Sequence, residues 1–247
     1  MKLALVPSLI GGVTLAGRRW GPAVAGWLSA FPVVAGPVLF FIAMEQGIGF
    51  AANAATGTLS AVLAILVFNI SYAWAATRFA WQACLGIAFL AYAMMVFALQ
   101  AWAPSLAAGA AAVLGALMVA QRVFPAVGKA NAVPARASDM HWRMLAGAVL
   151  VITVTHFSAA LGPRLSGVLA MFPVMASVLV AFSHRHSGPA FAISLLRGTV
   201  TGYYAFAAFC IALALSLPVV GMATAFLGSL ASAVVIQATS RLYLQRR

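Results

Sequence analysis

A chain of 247 residues that is 65% hydrophobic and 6% charged cannot clothe a soluble surface, since soluble domains carry about a quarter charged residues. Fourteen Lys+Arg stand against two carboxylates, Glu45 and Asp139, for a net charge of +12. In a soluble protein that balance would suggest nucleic acid. Here the basic residues sit in short loops between apolar runs, where positive charge sets membrane orientation, so lipids are the expected surroundings and nucleic acid is not an expected partner.

A bilayer span needs roughly 20 apolar residues, and only helices or closed barrels satisfy the backbone in lipid. The apolar runs here are continuous rather than alternating, so they predict helices. A first span covers about 3–17 and ends at Arg18-Arg19 and Gly21-Pro22. Lys2 before an apolar run has the look of a signal peptide, but Val13 to Gly17 aligns with Val154 to Ser158 deep in the chain, so a retained helix is expected. A second span covers about 23–44 and contains Phe31-Pro32, with a turn at Glu45-Gln46-Gly47. The third, about 50–76, is long enough to be tilted, or broken near Gly57. The fourth covers about 81–101 and the fifth, rich in Ala and Gly, about 105–121. The polar linker holds Arg122, Lys129, Arg136, Asp139, His141 and Arg143. Four more spans follow, at about 144–161, 164–183, 189–215 and 219–240.

The organising feature is a repeat. GPAVAGWLSAFPVVAGPVLF from Gly21 returns as GPRLSGVLAMFPVMASVLVA from Gly162, 141 residues on. The same offset, without a gap, maps Phe31-Pro32 to Phe172-Pro173, Gly26 to Gly167, Gly47 to Gly188 and Gly57-Thr58 to Gly198-Thr199. Composition could repeat Ala or Leu by accident, but rarely these pairs in one register; such self-similarity defines architecture before anything else does. The division expected is a first four-helix repeat over 1–102, a linking span over 103–122, a cytoplasmic linker over 123–143 and a second repeat over 144–247.

Four spans plus one put the second copy upside down. With the N-terminus outside and the C-terminus cytoplasmic, the cytoplasmic loops hold Arg18, Arg19, Arg78, Arg122, Lys129, Arg136, Arg143, Arg185, Arg241, Arg246 and Arg247, which is 11 of the 14 basic residues. That bias supports the orientation. The expected fold is therefore all-α, a polytopic membrane protein of about nine transmembrane helices in an inverted 4+1+4 repeat.

Interrupted helices at matching positions of two inverted halves mark the binding site of many transporters, near the midplane. Phe31-Pro32 and Phe172-Pro173 are such a pair, although a proline can also do no more than kink a packed helix. Arg197, in LLRGT, sits inside a span, and intramembrane charge usually faces a cavity or a partner. It is read as an anion contact because its planar fork can bind an oxyanion bidentately. The alternative is a side chain that snorkels to the headgroups. Gly198, Thr199 and Thr58 lie beside it or at the matching place, and Asn53, Asn69, Tyr203 and Tyr204 are polar enough to line a path. Glu45 and His156 are the candidates for coupling a proton or pairing an arginine, while His184-Arg185-His186 reads as an orienting turn.

Two carboxylates give no acid/base pair within the membrane, and there is no nucleophile elbow or phosphate loop. No metal cluster, cofactor motif or enzyme activity is expected. Cys84 and Cys210 fall inside apolar runs, away from any disulfide or ligand spacing.

Gly167-x-Leu169 before Phe172-Pro173, with Leu196-Arg197-x-Thr199 at the next span, resembles the GlpM-like family of small four-helix bacterial inner-membrane proteins. The likeness extends to each half and is closer in the second; the first has Thr56 in place of the arginine. It implies a duplicated, fused four-helix unit in the bacterial inner membrane, without specifying an activity. The leading functional expectation is a transporter or flippase for a small anionic or phosphate-bearing substrate, as a monomer or homodimer. Its alternatives are an ion channel with a pore between the repeats, and a non-transporting accessory of envelope biogenesis.

Overall fold

The computed structural model describes residues 2–102, 104–126, 139–160 and 172–245, and within them it is entirely helical and coil. The helices are α1 (Lys2–Trp20), α2 (Pro22–Ser29), α3 (Ala35–Gln46), α4 (Ile48–Ala75), α5 (Trp81–Ala101), α6 (Leu106–Val123), α7 (Asp139–Ala160), α8 (Val174–Ser216) and α9 (Met222–Gln245). α8 has one non-helical residue, Gly188, which divides it into limbs 174–187 and 189–216. Five of the described helices, α4, α5, α6, α8 and α9, are long and apolar enough to cross a membrane, as a membrane-embedded chain requires.

Two expectations change. The predicted span over 23–44 is two helices, α2 and α3, with residues 30–34 outside both. The expected weakness near Gly57 does not materialise: α4 runs unbroken from Ile48 to Ala75, and the matching limb 189–216 is equally continuous. Proline imposes its break by removing a donor and clashing with the preceding turn, whereas a lone glycine costs a helix only about 1 kcal/mol. Residues 127–138, with Lys129 and Arg136, and 161–171, with the second copies of Gly-Pro and Gly26, lie outside the described residues.

The element boundaries repeat at the sequence offset. α4 (48–75) matches the limb 189–216, and α5 begins at Trp81 where α9 begins at Met222, each 141 residues apart. Gly47 (φ 89°, ψ 165°) and Gly188 (φ 82°, ψ 172°) make the same turn between helices, in a backbone region that is essentially glycine's alone. The turns after the long helices also match. Ala76 N–H donates to Tyr72 O and Leu217 N–H to Leu213 O, while Phe79 N–H donates to Ala75 O and Val220 N–H to Ser216 O.

Packing follows the same plan. α4 and the limb 189–216 are the two central helices, and their burial repeats: Ala55 with Leu196, Leu59 with Val200, Phe68 with Phe209 and Tyr72 with Leu213 are all fully buried. α5, α6 and α9 lie outside them and present Leu90, Met94, Phe97, Met118, Leu227 and Val235 outward. Lipid tails are as apolar as these side chains, so close packing and polar contacts, rather than a hydrophobic drive, hold such helices together.

Candidate functional site

The two interruptions are built alike. At the first, Val33 N–H donates to Phe31 O (2.8 Å) and Gly36 N–H to Pro32 O (2.9 Å). At the second, Val174 N–H donates to Phe172 O (2.7 Å) and Ser177 N–H to Pro173 O (2.9 Å). Pro32 and Pro173 are buried. The helices that start after them, α3 at Ala35 and α8 at Val174, begin without any side-chain cap. A helix start carries unsatisfied N–H groups and a partial positive charge of roughly half a unit. Both starts lie inside the bundle. A Cβ placed on Gly36 would stand 3.7 Å from the Phe209 ring of the central limb, and Phe172 stacks on Phe89 of α5 at 5.0 Å with Tyr92 edge-on at 5.9 Å. The two interruptions are therefore seated against the central and α5 helices in turn. Phe31 is half-buried against the core.

The carbonyls that the first break frees find new partners. Phe31 N–H turns to Leu28 O instead of Trp27 O, and Gln237 Nε2 of α9 donates to Trp27 O at 2.8 Å. Trp27 Nε1 in turn donates to Ser240 Oγ at 2.8 Å. α2 and the limb 189–216 meet backbone to backbone. A Cβ on Gly26 would land on Leu195 O, on Gly198 upon Ala23 O, and on Gly202 upon Trp27 O. Gly198 and Gly202 form the small-xxx-small spacing that lets membrane helices approach closely. The spacing was readable in the sequence, but its partner was not.

Arg197 sits where α6 ends. One terminal guanidinium nitrogen donates to Pro125 O at 3.1 Å and to Phe124 O at 3.5 Å, and the guanidinium lies 5.8 Å from the Phe124 ring centre. Gln121 Nε2 reaches back to Arg197 O (3.3 Å) and Thr201 Oγ1 (3.0 Å). A cation on the last carbonyls of a helix is favourable by hydrogen bonding and dipole alike. Arg197 thus fastens α6 to the second central helix, and its Nε has no partner among the described residues. Gln121 and Thr201 were not anticipated; each is a polar residue in an apolar helix, which is the signal that could have found them.

The other expected site residues scatter. Thr199 is buried and donates to Leu195 O of its own helix at 3.0 Å. Thr58 is half-buried and Asn53 exposed on α4. Tyr203 is buried, in edge contact with Phe206 at 6.1 Å; Tyr204 is half-buried. Glu45 is exposed in the last turn of α3, away from the interruptions. His156 belongs to α7, but its side chain lies outside the described residues. The turn expected at His184-Arg185-His186 falls instead at Gly188, and those three residues are helical, in the last turn of the limb 174–187. His184 Nδ1 and the Tyr72 hydroxyl are hydrogen-bonded at 3.1 Å, joining α4 to that limb. Nearby, Trp74 Nε1 donates to Val123 O at 2.9 Å. Together with Arg197 on Phe124 and Pro125, these bonds gather the ends of α4, α6 and the Gly188 turn at one end of the bundle. No cluster of metal-binding side chains occurs among the described residues. Comparison with protein-family models, curated proteins and solved structures finds no match to this chain.

Proposed function

We propose that the chain is a membrane transporter whose two halves are inverted copies of one four-helix unit joined through α6, with a small anionic substrate held between the paired interruptions. The observation that carries this reading is that both breaks share one hydrogen-bond pattern at matching positions, each followed by an uncapped helix start. In inverted-repeat transporters such half-helix starts are what an anion meets near the midplane. The gathering of the α4, α6 and Gly188-turn ends on one side supports the alternating path of the spans, and the basic loops support a cytoplasmic assignment for that side. The likeness of each half to GlpM-like units and the location in a bacterial inner membrane belong to the same proposal. Arg197, fastened to two carbonyls, supports this function by holding α6 in place more readily than by touching the substrate.

Purified protein in proteoliposomes, offered radiolabelled phosphate, phosphate monoesters and chloride in turn, tests the reading. Saturable flux of one of them is expected, with a severalfold fall in Pro173→Ala, which restores a backbone donor at the second break. Flux that rises linearly with concentration would favour a channel between the repeats. No flux of any anion, from protein that is folded by its melting curve, would overturn the proposal.

A further inference from the structure

Asn69 lies on α4 with its side chain fully buried, and neither its Nδ2 nor its Oδ1 has a partner among the described residues. Buried amides are almost always hydrogen-bonded, and an orphan calls for an explanation. In the low dielectric of a membrane interior the penalty for leaving one unmade is at its largest. Nothing in packing requires an amide here. The matching residue of the other central helix is Cys210, equally buried, with a small apolar side chain that fits the same kind of place.

The neighbours of Asn69 differ from those of Cys210 in the same direction. One turn on, Tyr72 replaces the Leu213 of the second copy, and its hydroxyl is bonded to His184 at 3.1 Å. Residues three apart share a helix face, about 4.5 Å apart along the axis. Asn69, Tyr72 and His184 thus form a short polar series that runs inward from the Gly188 turn. The matching positions are Cys210 and Leu213 in the second copy and, for His184, Ala43 in the first. The place where the first central helix meets the limb 174–187 is thus polar at three points whose matched residues are all apolar.

We infer that Asn69 lines a hydrated niche reached past Tyr72 and His184, which takes water or a small neutral solute that can both donate and accept hydrogen bonds, and that the matching place at Cys210 is dry. The amide suits this ligand class because it offers one donor group and one acceptor in the same plane. No fixed charge lies in the series, which is why a neutral hydrogen-bonding guest is named instead of an ion. The inference stands apart from the anion site and holds whether or not the chain transports an anion.

Two measurements on the full chain test it. The first is X-ray hydroxyl-radical footprinting of the unaltered protein, in which Phe209 serves as the reference because Phe68, Tyr72 and Phe209 are equally buried in the structure. A hydrated niche predicts oxidation of Phe68 and Tyr72 clearly above that of Phe209; equal protection of all three would overturn it. In the second, Asn69→Cys with Cys84→Ala and Cys210→Ala is compared with Cys84→Ala alone, so that each protein carries one thiol, at 69 or at 210. Because apolar burial suppresses the reactive thiolate, a small hydrophilic methanethiosulfonate should modify the thiol at 69 about tenfold faster or more. The two should react alike once the chain is unfolded in detergent. Equal, slow labelling of both in folded protein would sink the niche, and the footprinting result decides the matter if Asn69→Cys does not fold.

Discussion

The two central helices, α4 and the limb 189–216, share boundaries, flanking turns and the positions of their buried faces, yet they carry different chemistry. The limb 189–216 is the fastening helix: Gly198 and Gly202 admit α2 to backbone contact, and Arg197 and Thr201 hold α6. α4 is polar at a different level, with Asn69 and Tyr72 where the limb has Cys210 and Leu213. Gly57, at the place of Gly198, is exposed and meets no described atom within 4 Å. The shared backbone geometry, which glycine and proline encode, therefore accommodates different side-chain roles at matched positions.

The largest test of that contrast is a methyl group. Gly198→Ala places a Cβ on the Ala23 carbonyl, a backbone atom with no rotamer to yield, so a loss of about 3 kcal/mol is expected, the upper end of overpacking. Gly57→Ala should instead be neutral or gain up to about 1 kcal/mol from a less flexible unfolded chain. Thermal melts in one detergent compare them, and equal losses would erase the distinction between the helices.

The turns should show the opposite behaviour. Gly47→Ala and Gly188→Ala both force a side chain into a glycine-only conformation, and each is expected to cost about 1–3 kcal/mol. Similar drops in melting temperature would confirm that the two turns are one design; a loss at only one of them would show that the duplicated backbone is not duplicated in stability.

Arg197→Ala comes next. It removes a charged donor from two helix-end carbonyls and a ring contact, for a loss of about 1.5–3 kcal/mol if the bonds are kept from water. Its half exposure places the expected value at the lower end. The hydroxyl of the first-copy counterpart Thr56 donates to Ala52 O of its own helix, a local bond, so Thr56→Ala should be within about 0.5 kcal/mol of the unaltered protein. A loss smaller than that of Arg197→Ala is expected of Gln237→Ala, which leaves Trp27 O without its donor; interhelical hydrogen bonds in membranes average about 0.6 kcal/mol.

The matched helix boundaries and turns at the 141-residue offset were legible in the sequence because Phe-Pro and Gly-Thr pairs recur in register, with Gly47 matching Gly188, and proline and glycine constrain backbone directly. The helical fold followed from long apolar runs. The break at Phe31-Pro32 was suspected but placed inside one span, because hydropathy does not fall where a membrane helix is interrupted among apolar neighbours. Arg197 was legible as an anomaly and not as a partner of Phe124 and Pro125, since the pairing spans more than seventy residues of chain. Gln237 and Gln121 escaped notice for the same reason: each is one polar residue whose meaning depends on which carbonyl another helix leaves open.

The glycine seam has a topological consequence. α2 comes from the front half of the chain and beds against a helix from the back half, so the halves are clasped and not merely set side by side. Cleavage in the linker between α6 and α7 would cut the covalent thread without releasing either piece, and two fragments expressed apart would be expected to find each other in the same membrane.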